Sequence, residues 1–139
     1  MKLISADDVH ELVAGLERKV DAMAAPIEVN VVVATIDAGE TLSSVIDART
    51  GHISQILMPA DWEPATNLTF QSSLDGELFA DLFDHKGLEV MLPVVSGTMA
   101  DVGPLGLSGA YFKLRSGRRD AADLAQTRDR VFSISIVSQ

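Results

Sequence analysis

The stretch Asn67-Leu68-Thr69-Phe70-Gln71-Ser72-Ser73-Leu74-Asp75-Gly76 constrains this chain more than any other, together with Phe79-Ala80-Asp81-Leu82-Phe83 just after it. Leu68 and Phe70 alternate with Thr69 and Gln71, and a period of two puts successive side chains on opposite faces of a strand. Asp75-Gly76 then supplies the positive φ angles of a two-residue hairpin turn. The stretch reads as a β-hairpin with one buried face, and the fold class as antiparallel β.

The rest of the chain from Ile27 keeps the same rhythm. Val29, Val31 and Val33 alternate with Asn30, Val32 and Ala34 before a turn at Asp37-Ala38-Gly39. Thr41 to Ile46 reads as a second strand, Arg49-Thr50-Gly51 as a second turn, and Ile53 to Met58 as a third strand stopped by Pro59. Leu88 to Val95 is a further strand, in which Pro93 belongs at an edge or a bulge because it cannot donate to a ladder. Ser96 to Ser108, rich in glycine, reads as a long loop. Ala110, Phe112 and Leu114 alternate with Tyr111, Lys113 and Arg115, and Ser116-Gly117 ends that strand. Phe132, Ile134 and Ile136 alternate with Ser133 and Ser135 in the closing strand. Seven or eight short strands at about ten-residue spacing predict a sandwich or barrel over residues 26–139.

Residues 1–25 follow a different period and read as a helical arm. Ser5 and Asp8 have capping-box spacing, and Asp7 and Asp8 suit the positive end of the helix dipole. Val9, Leu12, Val13, Leu16, Val20 and Met23 recur at steps of three and four and form one stripe. Pro26 ends the helix, since a proline disfavours helical geometry in the residue before it. An isolated helix of this length is marginal in water. Burying the six stripe residues would contribute about 9 to 18 kcal/mol, at about 1.5 to 3 kcal/mol each. The stripe therefore needs a dock, either on the chain's own strands or on other copies. Its narrowness resembles a short coiled-coil seam and favours a homo-oligomer, a trimer first.

Composition limits the chemistry. The 139 residues contain no cysteine, which excludes disulfides and thiolate metal sites. The N-terminus turns acidic after Leu3-Ile4, unlike a secretory signal, and no apolar run approaches the length of about 20 residues that spans a bilayer. A soluble protein made in the cytoplasm is expected, with no membrane partner. The net charge of -9 is uneven: between Pro26 and Phe112 the basic residues are Arg49 and Lys86, whereas Lys113, Arg115, Arg118, Arg119, Arg128 and Arg130 crowd the last section. An acidic surface repels phosphate backbones, so no nucleic-acid partner is expected. The basic cluster either balances Asp120, Asp123 and Asp129 or touches an acidic partner.

No pattern for catalysis emerges. The acidic run Asp75, Glu77, Asp81 and Asp84 fits no EF-hand spacing and reads as turn and strand-face residues. His10, His52 and His85 lie far apart, and His85 beside Asp84 is the one pairing of note. No serine sits in a Gly-x-Ser-x-Gly elbow, and Gly103-Pro104-Leu105-Gly106 lacks the Gly-Lys-Ser or Gly-Lys-Thr of a phosphate cradle. The expectation is a non-enzyme with no metal and no cofactor. Sugar recognition needs exposed aromatic platforms. With 5% aromatic residues the chain offers few: Trp62, either a core plug or a glycan contact, and Tyr111 on the polar face of its strand.

Two segments carry a resemblance. Met58-Pro59-Ala60-Asp61-Trp62, Leu68-Thr69-Phe70-Gln71, Asp75-Gly76 and Phe79-Ala80-Asp81-Leu82 form the first. Tyr111-Phe112-Lys113-Leu114-Arg115-Ser116-Gly117 and Asp129-Arg130-Val131-Phe132 form the second. Their order resembles small structural proteins of tailed bacteriophages, and the strand pattern is similar to discoidin-like, galactose-binding-type β-sandwiches of jelly-roll character. The resemblance spans mainly residues 51–139 and leaves the arm outside. It implies a virion component that binds the major capsid protein or another virion protein: a capsid decoration (cement) protein, a head fibre, or a tail or head–tail connector piece. A carbohydrate-binding module for host attachment is the alternative.

Overall fold

The computed structural model describes residues 27–63, 65–120 and 124–138. The helical arm expected over residues 5–24, with its stripe Val9, Leu12, Val13, Leu16, Val20 and Met23, lies outside them. The described chain is mainly β, as the alternation predicts. Its strands are β1 (Val29–Ile36), β2 (Ile46–Leu57), β3 (Asn67–Ser73), β4 (Ala80–Asp81), β5 (Met91–Pro93), β6 (Met99–Asp101), β7 (Ser108–Ser116) and β8 (Arg130–Ser138). All eight belong to one antiparallel sheet in the order β1-β8-β2-β7-β3-β4, with β5 added to β3 and β6 to β2. The sheet bends on itself. Ile36 at the end of β1 bridges to Ser43 while Leu42 bridges to Arg115 on β7, which joins an edge strand to the middle of the sheet.

One face of this sheet is the core. Register sets Ala34 opposite Phe132 and Val32 opposite Ile134 across β1 and β8, and Phe70 opposite Leu114 across β3 and β7. Ala34, Phe132, Ile134, Phe70 and Leu114 join Ile36, Ile46, Ile53, Ile56, Met58, Leu68 and Phe112 in one buried cluster, against which the partly buried Val32 packs. Trp62 closes the cluster edge-on to Phe132, with ring centroids 5.4 Å apart at 68°.

A buried polar chain ties the last connection to the sheet. Arg130 Nε donates to Gln126 Oε1 at 2.8 Å, Gln126 Nε2 donates to Ser116 Oγ at 2.8 Å, and Ser116 Oγ donates to the Leu124 carbonyl at 2.6 Å. Arg130 Nη1 sits 2.5 Å from Asp61 Oδ2 as an ion pair without hydrogen-bond alignment. Buried polar groups of this kind need partners, and most of these have them.

Four sequence expectations change. Thr41 to Ile46 forms no strand of its own, since Leu42 and Ser43 make isolated bridges and β2 begins at Ile46. Arg49-Thr50-Gly51 is no turn but the middle of the twelve-residue β2. Gly51 is there for closeness, because a Cβ on it would collide with the Val137 carbonyl oxygen of β8. The Asp75-Gly76 reversal is wider than a two-residue hairpin, since pairing of β3 with β4 resumes only at Ser72 opposite Ala80. The Asp75 carboxylate organises the wider loop by accepting the N–H groups of Glu77 and Leu78, both at 2.9 Å. Gly76 takes φ 82° there. Lastly, the loop expected from Ser96 to Ser108 contains β6 and a 3-10 turn at Gly103–Leu105.

Candidate interaction surface

The outer face of the same sheet divides into two halves of opposite chemistry. On β7, β3 and β4 the outward residues are polar and enclosed. Arg115, 7% exposed, forms an ion pair through Nη2 with Asp81 Oδ1, and its Nη1 faces Glu89 Oε2 at 3.7 Å. Arg119 Nε donates to Asp81 Oδ2 at 3.1 Å, and the Arg119 backbone N–H donates to Glu89 Oε2 at 3.0 Å. The hydrogen bond from Arg115 holds the Asp81 carboxyl below the usual carboxylate range. Thr69, fully buried beside this cluster, donates its hydroxyl to the Gly117 carbonyl at 2.5 Å. Arg115 and Arg119, among the arginines crowded late in the chain, thus pair with carboxylates far away in sequence.

Three cation–π contacts continue this half. Arg49 lies 4.6 Å from the centroid of Tyr111, Lys113 4.5 Å from Phe79 and Arg119 5.5 Å from Phe83. The Tyr111 ring also borders Gly76, where a Cβ would stand 3.2 Å from it. Tyr111 is half-buried between these neighbours. Trp62 is placed as a core plug: it is 5% exposed, and its indole N–H donates to the Ala65 carbonyl at 2.8 Å.

On β1, β8 and the end of β2 the outward face carries exposed valines interspersed with Ser133, Ser135 and Thr35. Register places Val29 opposite Val137, Val31 opposite Ser135, Val33 opposite Ser133 and Thr35 opposite Val131. Leu57 of β2 stands across from Ser133 on β8 and from Met99 on β6. Val31 is 69% exposed, and Val29, Val33, Val131 and Met99 are each more than half exposed. These exposed apolar side chains share one face of the sheet. The alternation in the sequence located both faces of β1. It did not show that the richer valine row faces outward, because β1 carries apolar residues on both sides.

A second feature is a cleft of about 570 Å³ between residues 84–91 and the 3-10 turn, lined by Asp84, His85, Leu88, Glu89, Val90, Met91, Pro104, Leu105 and Arg118. Its carboxylates are largely engaged already. Asp84 Oδ1 accepts the backbone N–H groups of Lys86 at 2.8 Å and Leu88 at 3.0 Å, and the Leu88 bond is the main reason its carboxyl titrates low. The His85–Asp84 pairing noted in the sequence therefore sits at the rim of a cleft whose acid is a turn-former. Among the described residues no group of three or more His, Asp or Glu side chains is placed to hold a metal ion. Comparison with protein-family models, with curated proteins and with solved structures gives no match for this chain.

Proposed function

We propose that this protein is a structural, non-enzymatic component of a multi-copy protein assembly, and that the apolar half of its outer sheet face is the contact surface. The supporting observation is the open row Val29, Val31, Val33 with Val131 beside it, carried on a rigid sheet whose other outward half the chain covers itself. On the resemblance in the sequence, the assembly is a virion and the role that of a capsid decoration or head-fibre protein. The same resemblance implies a discoidin-like sandwich body, while the described strands form one antiparallel sheet around one core. Carbohydrate recognition retains only Tyr111 of its two platforms and is the weaker reading.

Mixing the full-length chain with assembled capsids and sedimenting the particles tests this proposal. The chain should co-sediment, and Val131→Glu should abolish binding without altering the far-ultraviolet circular dichroism. A folded chain that binds neither heads nor tails and stays monomeric would overturn it. Leu12→Asp combined with Leu16→Asp probes the arm separately, by whether it lowers the mass in solution.

A further inference from the structure

We propose that β1 is a docking edge for a second copy of this chain, paired antiparallel with the partner's β1 about a two-fold axis at Val31. It rests on the assembly reading above and names the partner.

Backbone stereochemistry supports it. In an antiparallel pair the N–H and C=O of one residue point to the same side, and alternate residues point to opposite sides. Glu28 faces β8: its carbonyl accepts the Ser138 N–H at 2.9 Å and its N–H donates to Ser138 Oγ at 3.0 Å. Thr35 faces the other way, accepting the Ser44 N–H at 2.9 Å and donating to Ser44 Oγ at 3.1 Å. By parity Val29, Val31 and Val33 also turn their backbone groups away from β8. β1 ends the sheet, and among the described residues nothing lies on that side before Ser44. Ser44 closes the edge at Thr35 and leaves residues 29–33 open.

Natural edge strands are usually protected by charge, proline, a bulge or shortness. β1 has none of these over Val29–Ile36, a sequence of eight residues reading VNVVVATI, and its register with β8 runs without a break. The open segment is also self-complementary. Antiparallel pairing centred on Val31 sets Val29 against the partner's Val33, Val31 against the partner's Val31, and Asn30 against the partner's Val32. Each of the three valine pairs then exchanges both backbone bonds, and their side chains meet on the outer face. The charge pattern agrees. Copies carrying -9 repel one another in general, yet this strand is free of charge along its whole length.

The experiment is mass determination of the full-length chain in solution, beside Val31→Pro, Val31→Lys and the Leu12→Asp/Leu16→Asp double variant. Val31→Pro removes an N–H that faces no partner among the described residues, so it spares the β1–β8 ladder and blocks the added strand. Val31→Lys keeps the N–H and introduces like charges at the axis, which keeps the test valid if the proline variant fails to fold. The expected result is a dimer that falls twofold in mass in both Val31 variants with unchanged circular dichroism. A dimer or trimer insensitive to both Val31 variants but dissociated by the arm variant overturns the edge pairing and leaves the assembly reading standing. A monomer that still binds particles does the same. A monomer that binds nothing overturns both.

Discussion

The two halves of the outer face occupy one sheet and are built by opposite rules. Where residues 81–91 and 117–120 return over β3 and β7, the outward side chains are Thr69, Gln71, Lys113 and Arg115, each meeting a partner of its own chain. Where β1 and β8 lie bare, the outward valines Val29, Val31, Val33 and Val131 stand exposed, with Ser133, Ser135 and Thr35 among them. The difference teaches how to read exposure. A sheet face that the chain covers itself can afford charge, because its ion pairs are arranged intramolecularly. A face left apolar on a chain this acidic is matched to a cover from outside the described residues.

The sharpest way to break the comparison is to empty the charged half. Arg115→Ala removes the cation between Asp81 and Glu89 and leaves two carboxylates facing each other at partial burial. Removing one member of such a pair costs about 3 to 5 kcal/mol when burial is complete, and Asp81 at 26% side-chain exposure argues for the lower end. Urea denaturation monitored by Trp62 fluorescence checks it, and an unchanged midpoint would mean that the cluster is ornamental. Under the apolar half, the equivalent weak point is backbone rather than charge. Gly51→Ala drives a methyl into the Val137 carbonyl of β8. Overpacking of this kind costs about 1 to 3 kcal/mol and should separate β8 from β2 locally, visible as faster amide exchange at His52 and Val137, which face each other across that ladder.

Acid sharpens the contrast, because one half titrates and the other does not. Asp81 is held below an ordinary carboxylate by Arg115, so folding favours its ionised form. Its contribution is therefore whole above the unfolded value of about 4 and lost as pH falls through the lower folded value. Asp75 and Asp84, lowered chiefly by the Leu78 and Leu88 backbone N–H groups, act in the same direction and the same window. Stability should fall as pH drops below about 4, and the slope should flatten in Asp81→Asn. An Asp81→Asn variant with the slope of the parent would assign acid sensitivity elsewhere.

How much of this was legible follows from the kind of signal each feature leaves. Period-two alternation is local, so β1, β3, β7 and β8 stand close to where Val29, Leu68, Phe112 and Phe132 place them. Gly51 misled because a glycine that permits close strand approach looks the same in sequence as one that turns the chain. Asp75-Gly76 was read correctly as a reversal, but its width depends on Ser73 and on the ring of Tyr111 beneath Gly76, a residue distant in sequence. The surface was harder still. The pairing of Arg115 and Arg119 with Asp81 and Glu89 needs the sheet order, and the outward side of the valine row needs the identity of the covering strand. Neither is written in any single segment.

The smallest effect is also the most diagnostic of the two halves. Val131→Thr and Thr69→Val are the same isosteric exchange made in opposite directions, one in each half. Thr69 is fully buried and donates to the Gly117 carbonyl, so a valine there strands that acceptor and should cost about 1 kcal/mol or more. Val131 stands more than half exposed, and threonine suits a strand as well as valine does, so the exchange should stay within about 0.5 kcal/mol of the parent by denaturation. Binding inverts the order. Val131→Thr replaces an apolar methyl with a hydroxyl on the contact surface and should weaken particle co-sedimentation, whereas Thr69→Val should leave it unchanged once folded protein is matched. If instead Val131→Thr destabilises the isolated chain as much as Thr69→Val does, the valine row is already covered within the monomer, and the two halves differ in chemistry but not in role.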